Sequence, residues 1–524
     1  MCDVQKLPFG TQSFSSLRNN QQIYVDKSEQ IYELARVRQK VFLARPRRFG
    51  KSLLLSTFES LFAHGLRDFK GLVIEKLWQD HQYETVRLDF SAFIDYQTVE
   101  DFRLKFYSML GILLGEHGFA WDGNVVTFSY QLAKWLRDQP NNSLVLLIDE
   151  YDAPLTRTLN DRELFLGIQK ILSEFFYILK SEEGCLRFLF ITGITRFNNT
   201  SIFSGFNNLR DISQEPTYGA LLGYTETELK GYFGDYLRYA ATQLNISQSV
   251  LLERLREYYD GFTFDSQAQK HVYCPWSVLN FFQKKLFDFA NYWFTSGGQP
   301  SVLMNYLAKR KLDKPLDFLQ TIVMSSDALF SSAPYDKLDV NVLLHQTGYL
   351  TIRAVNAAGD FILGYPNREV EASMAQLYTR MMISDDNFRA GDILGYMFEG
   401  EVSKTIGFMN RIFNVLDYDR YPIRDEASFR GAVQILMIGL SLRPAVEVHT
   451  SRGRSDIEVD TGNFHWVFEL KFAKATEDTK SLCQAALKQI QEKAYGQTLH
   501  GKTLIRVGVV FSESKRQITD WQQV

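Results

Sequence analysis

The stretch Val41-Phe-Leu-Ala-Arg-Pro-Arg-Arg-Phe-Gly-Lys-Ser52 runs from an apolar strand pattern, through a basic turn, into a helical pattern. Strand, tight turn and helix in this order are the setting of a phosphate-binding loop. In such a loop Gly50 would let the backbone approach the phosphates, Lys51 would reach the β and γ oxygens, and Ser52 would ligate Mg²⁺. The usual motif has glycine where this chain has Arg45, so a basic surface turn before a helix is the alternative interpretation.

A second motif farther along the chain favours the phosphate-binding interpretation. Leu144-Val-Leu-Leu-Ile-Asp-Glu-Tyr-Asp152 is an apolar strand that ends in two adjacent acids, the pattern of a Walker B strand. Asp149 would hold Mg²⁺ together with Ser52, and Glu150 would orient the water that attacks the γ-phosphate. A buried strand that runs into a solvated acidic loop would explain this motif alone, but it would not explain both motifs in this order.

Two residues near the end of the next predicted strand extend this candidate site. Thr192, at the strand tip, could sense the γ-phosphate. Arg196 could stabilise the charge of the transferring phosphoryl group, in cis or from a neighbouring subunit. A surface salt bridge explains Arg196 equally well.

The first part of the chain alternates short apolar runs with longer amphipathic ones, the rhythm of an α/β domain. We predict strands at residues 41–44, 85–89, 144–149 and 186–192, and helices at 51–64, 99–117 and 162–181. Together they predict a buried, parallel sheet covered by helices.

From residue 225 the pattern becomes helical, which predicts a helical lid. Thr225 and Ser247 would cap helices at residues 226–244 and 248–258. Farther on, the order is a helix at 340–346, strands at 349–355 and 361–365, and a helix from 367. This order is compatible with a winged-helix module, which could bind DNA or only pack domains together.

The C-terminal part predicts a second α/β unit. Its elements are a helix at 425–440, strands at 445–449, 455–460 and 466–472, a helix at 477–495 and a final strand at 505–511.

Two carboxylates and a lysine in this unit form a second candidate site. Glu469 and Lys471 are two positions apart on one strand and therefore share a face, and a hairpin would bring Asp456 beside them. Such a set suits Mg²⁺, with Asp456 and Glu469 as ligands and the ammonium placed to activate a water or to stabilise a pentacoordinate phosphate. Such a set of residues is typical of a phosphodiesterase active site. A solvated strand face with an ordinary Glu–Lys pair is the alternative interpretation.

Four further residues are candidate accessories to this second site. Glu426 on the preceding helix and Glu447 on the first strand could add acidic ligands, and Gln489 and Tyr495 on the following helix could face the same site.

The composition limits the classes of protein and partner. The 524 residues are 45% hydrophobic and 23% charged, which is typical of a globular protein with several domains and excludes disordered and collagen-like chains. The net charge of −3 supplies no global attraction to nucleic acid or to an anionic membrane. Four cysteines without a CxxC pair, and the lack of a long apolar stretch, favour a cytoplasmic protein with no membrane partner.

Several motifs in order resemble the bacterial AAA-ATPase-like proteins that carry a C-terminal PD-(D/E)XK nuclease-superfamily domain. The motifs are Tyr24-Val-Asp-Lys27, Arg45-Pro-Arg-Arg-Phe-Gly-Lys-Ser52, Leu147-Ile-Asp-Glu-Tyr-Asp152, Thr192-Gly-Ile-Thr195, Asn207-Asn-Leu-Arg-Asp-Ile-Ser213 and the stretch from Gly453 to Lys471. In that family the phosphate loop reads R-P-R-R-F-G-K-S, so Arg45 is no departure from it.

The resemblance implies a P-loop NTPase domain of the AAA type, at residues 1–224, with a helical lid at 225–324. A winged-helix-like module at 325–384 and a restriction-endonuclease-like domain at 385–524 would follow. It implies that ATP and Mg²⁺ are the cofactors, and that Lys51, Ser52, Asp149 and Glu150 take nucleotide positions. Together with them we expect the nucleotide to be bound by Arg45, Arg47, Arg48, Phe49, Gly50, Thr192 and Arg196. Glu150, Asp456, Glu469 and Lys471 take the catalytic positions.

Two functions follow from this organisation. The first is an ATP-binding protein, an ATPase, coupled to a Mg²⁺-dependent nuclease whose partner is nucleic acid, DNA rather than RNA, with a homo-oligomer left open. The second is an ATP-dependent conformational switch or scaffold whose nuclease-like domain binds nucleic acid or protein without cleaving. The stretch from Thr405 to Val524 has 16 Lys and Arg against 14 Asp and Glu, so charge does not separate the two.

Overall fold

The computed structural model describes residues 5–196, 202–203, 208–295, 321–330, 339–382, 390–416, 418–419, 421–440, 442–450, 452–496 and 501–524. They form two compact units, one reaching Glu369 and the other starting at Val370. The start of the motif at Asn207 and the predicted domain boundary after residue 384 lie outside the described residues. None of the helices described is long and apolar enough to cross a membrane.

The first unit is built on a parallel sheet, as predicted. Its strands are β1 Gln39–Ala44, β2 Glu84–Asp89, β3 Leu144–Asp149, β4 Leu186–Gly193 and β5 Leu209–Asp211. Their order is β2-β3-β4-β1-β5, so β4 separates β1 from β3. All residues of β3 and β4 are buried, which explains their unbroken apolar runs. β5 was not predicted, because only one of its three residues is apolar.

Helices of the first unit cover this sheet. They are α1 Phe14–Asn19, α2 Ser28–Ala35, α3 Lys51–His64, α4 Val99–Gly115, α5 Phe128–Asp138, α6 Ala153–Thr156 and α7 Arg162–Ser181. Aromatic rings make the main contacts between α3 and β4, with Phe58 lying 5.2 Å from Phe188 and 4.9 Å from Phe190 between ring centroids. This packing holds the middle of α3 against the sheet, and α3 begins directly after the phosphate loop.

The helical part that follows differs from the prediction in one place. Its elements are α8 Glu226–Tyr232, α9 Gly234–Gln243, α10 Gln248–Tyr259, β6 Phe262–Thr263, β7 His271–Val272, α11 Pro275–Gln283 and α12 Tyr292–Thr295. The prediction of a single helix over 226–244 is wrong, because the helix is interrupted at Phe233. The break coincides with glycine at position 234 and lets the Phe233 ring stack on Phe282 in the core.

A small antiparallel sheet with flanking helices completes the first unit, and the last of these helices continues into the second unit, which starts at Val370. The elements are β8 Ile322–Met324, α13 Ser326–Phe330, α14 Val340–Gln346, β9 Thr351–Val355, β10 Phe361–Gly364 and α15 Arg368–Met382, and the strand order is β8-β10-β9. The predicted helix, hairpin and helix are all present. The winged-helix assignment and the three predicted domain boundaries stay predictions.

The second unit contains a mixed sheet. Its elements are α16 Ala390–Phe398, α17 Val402–Val415, α18 Glu426–Gly439, β11 Ala445–Thr450, β12 Gly453–Thr461, β13 Phe464–Ala473, α19 Thr479–Lys493, β14 Thr503–Ser512 and β15 Gln517–Gln523. β13 and β14 are parallel, and the other neighbours in the order β11-β12-β13-β14-β15 are antiparallel. The expectation that β14 is the final strand was wrong, because the largely polar β15 pairs with it at the sheet edge.

Candidate functional site

The phosphate loop connects β1 to α3 and has the backbone that its glycine makes possible. Gly50 has φ of 97° directly before the first turn of α3, and a Cβ placed there would meet no heavy atom within 4 Å. The buried Lys51 side chain folds back over the loop, and its Nζ donates to Arg45 O at 3.0 Å and Pro46 O at 3.1 Å. Burial lowers the pKa of Lys51, although nearby Glu150 and Asp149 oppose this effect.

A cavity of about 420 Å³ opens beside this loop, a volume within the usual range of small-molecule sites. Its polar wall consists of Arg47, Arg48, Gly50, Lys51, Ser52 and Glu150, next to Phe49. Its apolar wall includes Ile23, Val25, Leu221, Leu222, Trp276 and Leu279. The Arg48 guanidinium lies 4.3 Å from the centre of the Trp276 ring, so the two walls meet at a cation–π contact. A basic end and an apolar end suit a ligand that carries both phosphates and a planar ring.

The end of β3 supplies the acidic side of this site. Thr192 Oγ1 donates to Asp149 Oδ1 at 2.6 Å, which is possible because β4 lies directly beside β3. The Glu150 backbone N–H donates to the same Thr192 oxygen at 3.3 Å, and Glu150 has a left-handed φ of 48°. Burial raises the pKa of Glu150, against the pull of the Lys51 ammonium. Thr192 thus couples the tip of β4 to both acids.

One cation at this site was missed by sequence reasoning. The Arg87 guanidinium donates to Ser52 O at 3.3 Å and lies 3.4 Å from Asp149 Oδ2. It also lies 3.4 Å from Glu59 on α3. A lone arginine in the otherwise apolar middle of a predicted strand was the available signal, since a charge there needs a buried partner.

Two arginines predicted to bind the nucleotide do not line this cavity. Arg45 is buried, and its guanidinium donates to Ser213 O at 2.5 Å and Tyr218 O at 3.2 Å and stacks on a phenylalanine ring. Arg196 forms an ion pair with Asp211 at 3.3 Å. Both arginines border a separate, much smaller cavity. Arg45 therefore links the loop to the segment that contains Ser213 and Tyr218, and Arg196 is paired with Asp211; a role of either arginine in nucleotide binding stays a prediction.

In the second unit, Asp456, Glu469 and Lys471 lie together. β12 and β13 pair antiparallel as far as Ile457 and Phe468, and Asp456 and Glu469 are the next residues beyond that pair on the two strands. Asp456 Oδ2 accepts from the Leu470 N–H at 2.8 Å, and Lys471 Nζ lies 2.9 Å from Glu469 Oε1. The three side chains thus converge at one place on the sheet.

Burial and like charge perturb the acids of this second site. Burial, aided by the neighbouring Asp456, raises the pKa of Glu469 to about 7. Burial also raises the pKa of Glu426, whose Oε2 lies 3.7 Å from Lys471 Nζ. Burial alone would lower the pKa of Lys471, but Glu469 and Glu426 outweigh it and raise that pKa, so the lysine stays charged. Carboxyl groups with raised pKa values beside a charged lysine are typical of functional sites.

The donor atoms at this place fit a hard divalent cation. Glu469 is 1% exposed, and its Oε2 has no hydrogen-bond partner among the residues that the structure describes. Asp456 Oδ1 lies 3.5 Å from the Arg430 guanidinium. No three His, Cys, Asp or Glu side chains of the described residues are grouped as a preformed metal cage. Mg²⁺ needs only one or two carboxylates because it keeps several waters, so the residues present fit this ion.

The accessory residues divide into two groups. Glu426 and Glu447 approach the site, and Glu447 and Asp456 lie between the pairs Val446–Ile457 and Val448–Ser455 of β11 and β12. Gln489 Nε2 lies 3.4 Å from Tyr495 Oη, which also accepts from the Arg454 N–H at 3.1 Å. Tyr495 is not on the helix as predicted, because α19 ends at Lys493 and Ala494 adopts a left-handed conformation. These two residues anchor the start of β12 in the structure.

Arg430 is a second cation that sequence reasoning missed. Its Nη2 lies 3.0 Å from Glu447 Oε1, and its Nη1 is the atom that lies near Asp456. The signal was available, because Arg430 follows Glu426 by four positions on α18 and so shares its helix face.

Comparisons with known proteins match both units. Residues 8–203 match the family described as "Predicted AAA-ATPase", and residues 424–521 match the PD-(D/E)XK nuclease superfamily. An uncharacterized protein in the vnfD 5′ region of Azotobacter chroococcum mcd 1 is 30% identical over 530 residues, which cover 98% of this chain and 98% of the relative. The resemblance stated from the sequence motifs is confirmed. The chain therefore belongs to the AAA-ATPase-like proteins that carry a C-terminal PD-(D/E)XK nuclease-superfamily domain.

Proposed function

We propose that this protein binds and hydrolyses ATP in its first unit and cleaves phosphodiester bonds of nucleic acid, DNA in preference to RNA, in its second unit with Mg²⁺. The observation that carries the nuclease half is the convergence of Asp456, Glu469 and the charged Lys471, with one buried carboxylate oxygen of Glu469 that no described residue hydrogen-bonds. Mg²⁺ bound there would polarise a phosphoryl oxygen. Lys471 would hold or orient the attacking water beside it.

The cavity beside the phosphate loop supports the nucleotide half. Lys51 can leave its two loop carbonyls for phosphate oxygens, which are stronger acceptors for an ammonium. Ser52 and Asp149 would hold Mg²⁺, the ion that neutralises the phosphate charge during transfer. Glu150, half-buried on the cavity wall, would orient the attacking water.

A substrate panel tests the nuclease half. Purified full-length protein is incubated with end-labelled duplex DNA, single-stranded DNA and RNA, with Mg²⁺ or with EDTA, and with or without ATP. We expect Mg²⁺-dependent cleavage of DNA that Asp456→Asn abolishes. Binding without cleavage of any substrate would contradict the nuclease proposal and favour the scaffold function.

A separate assay tests the ATPase half and the coupling. Phosphate release from ATP is measured for wild type and Glu150→Gln, and DNA cleavage with ATP is measured for wild type and Lys51→Ala. We expect Glu150→Gln to bind ATP without turning it over and Lys51→Ala to remove any effect of ATP on cleavage. Unchanged turnover in Glu150→Gln would contradict its role.

A further inference from the structure

The carboxylates of the second site are held by a cation of the chain itself. Arg430 reaches from α18 to two strands at once, with Nη2 at 3.0 Å from Glu447 Oε1 and Nη1 at 3.5 Å from Asp456 Oδ1. Arg454 lies 3.2 Å from the other Glu447 oxygen. Because Glu447 and Asp456 lie between the pairs Val446–Ile457 and Val448–Ser455 of β11 and β12, their charges are close and would repel without this guanidinium.

The oxygen that Arg430 approaches on Asp456 is the one a metal ion would need. Asp456 Oδ2 is fixed by the Leu470 N–H, which leaves Oδ1 as the oxygen available to a cation. Glu469 presents its buried Oε2 beside it, since Oε1 is paired with Lys471. A divalent ion bound to Asp456 Oδ1 and Glu469 Oε2 therefore competes with one end of the Arg430 guanidinium.

The contact between the guanidinium and Glu447 would not be displaced by the metal ion. The contact between Arg430 and Glu447 is the shorter of the two, and Glu447 is not required as a metal ligand. A guanidinium that loses Asp456 but keeps Glu447 stays within reach of the metal, with freed N–H donors. A planar pair of N–H donors next to a divalent cation matches the oxygens of a phosphate.

We propose that Arg430 holds Asp456 and Glu447 in the metal-free protein, and that it turns to a phosphate of the nucleic-acid strand when a divalent cation takes Asp456 Oδ1. This exchange rests on the proposed nuclease function, and it adds to that function a residue that binds the substrate phosphate. It also makes metal and substrate binding mutually supportive, because the arginine that the metal releases is the one that the phosphate recruits.

Calcium, which fills magnesium sites without supporting cleavage, is the probe. Full-length wild type, Arg430→Met and Arg430→Lys are titrated with Ca²⁺ by calorimetry without nucleotide, and Asp456→Asn defines the signal of this site. Arg454→Met is the matched control, because Arg454 contacts Glu447 but has no contact with Asp456 in the described structure. Binding of a short duplex DNA is then measured in saturating Ca²⁺.

We expect Arg430→Met to bind Ca²⁺ roughly tenfold more tightly, since an opposite charge a few ångströms from a carboxylate lowers its affinity for a proton by roughly tenfold or more, and its affinity for a divalent cation should fall in the same direction. The same variant should bind duplex DNA roughly tenfold more weakly, Arg430→Lys should restore the Ca²⁺ affinity to that of wild type, and Arg454→Met should change the Ca²⁺ affinity by less than about twofold. Unchanged or weaker Ca²⁺ binding in Arg430→Met would overturn the exchange, and so would equal effects of the two methionine variants.

The Ca²⁺ titrations distinguish failure of this inference from failure of the proposed function. If Asp456→Asn removes Ca²⁺ binding while Arg430→Met changes nothing, the metal site stands and Arg430 is only a structural ion pair. If wild type and Asp456→Asn show the same titration, the second unit has no metal site, and both the exchange and the nuclease function are overturned.

Discussion

The buried carboxylate of Glu469 should destabilise the metal-free second unit at neutral pH, and Glu469→Gln should remove this cost. Burial and Asp456 raise the pKa of Glu469 from 4.5 to about 7 in the folded state. Between these two values the unfolded chain has released its proton while the folded chain retains it, so stability falls as pH rises through this window. At about 1.4 kcal/mol per pKa unit, the loss above pH 7 is about 3 kcal/mol.

Hydrogen exchange provides the assay, because it reads the second unit without requiring the whole chain to unfold in one step. Exchange of peptides covering β13 is followed by mass spectrometry in EDTA at pH 5 and pH 8 for wild type and Glu469→Gln. Comparison of the two proteins at one pH cancels the intrinsic pH dependence of exchange. We expect similar protection at pH 5 and roughly a hundredfold greater protection of the variant at pH 8, the factor that corresponds to about 3 kcal/mol.

A matched control on the same strand pair should behave in the opposite way. Burial alone would raise the pKa of Glu458, but hydrogen bonds from His465 and Ser455 outweigh it and lower that pKa. Glu458→Gln should therefore reduce protection at pH 8. Reduced protection in Glu469→Gln at pH 8, or a gain of equal size at both pH values, would refute the reasoning for Glu469.

Three further predictions concern the phosphate loop. Gly50→Ala should weaken the binding of a fluorescent ATP analogue, because alanine at this positive φ strains the loop backbone by roughly 1–2 kcal/mol. Gly71→Ala is the control: Gly71 has a similar positive φ and equally open space, so this variant should lose similar stability but bind the analogue like wild type. Equal losses of affinity in the two variants would contradict this. Lys51→Ala should weaken binding of the same analogue by roughly tenfold to a hundredfold, the worth of a charged hydrogen bond, with unaltered circular dichroism; wild-type affinity would count against the loop. Arg45→Met should lower the free energy of unfolding by about 2–4 kcal/mol, because buried carbonyls lose their donors, and an unchanged urea midpoint would show that these hydrogen bonds contribute little.

The parts of the fold that could be predicted are those in which burial leaves a long, regular pattern. β3 and β4 are buried along their whole length, so their apolar runs gave their positions directly. Because side chains alternate between the two faces of a strand, Glu469 and Lys471 could be predicted to share a face. The predicted hairpin then placed Asp456 beside them, as the structure has it.

The parts that could not be predicted depend on partners distant in the chain. β15 is polar at most positions and exists because β14 offers it an open edge. Arg45 was expected to face phosphates, but carbonyls far along the sequence bind its guanidinium. The sequence offered a signal for Arg87 and for Arg430, but it could not identify their partners on other elements, because an ion pair between two elements has no fixed spacing along the chain.

The measurement that tests the central claim most directly is the initial rate of Mg²⁺-dependent duplex DNA cleavage by Lys471→Met, with Lys474→Met as its control. Lys471 lies 2.9 Å from Glu469, whereas Lys474 is an exposed lysine just beyond the same strand. We predict that Lys471→Met loses roughly a hundredfold or more in rate, as expected for removal of a group that stabilises the transition state, and that Lys474→Met cleaves like wild type. Equal rates for the two variants would mean that these carboxylates and this lysine do not form a phosphodiesterase site.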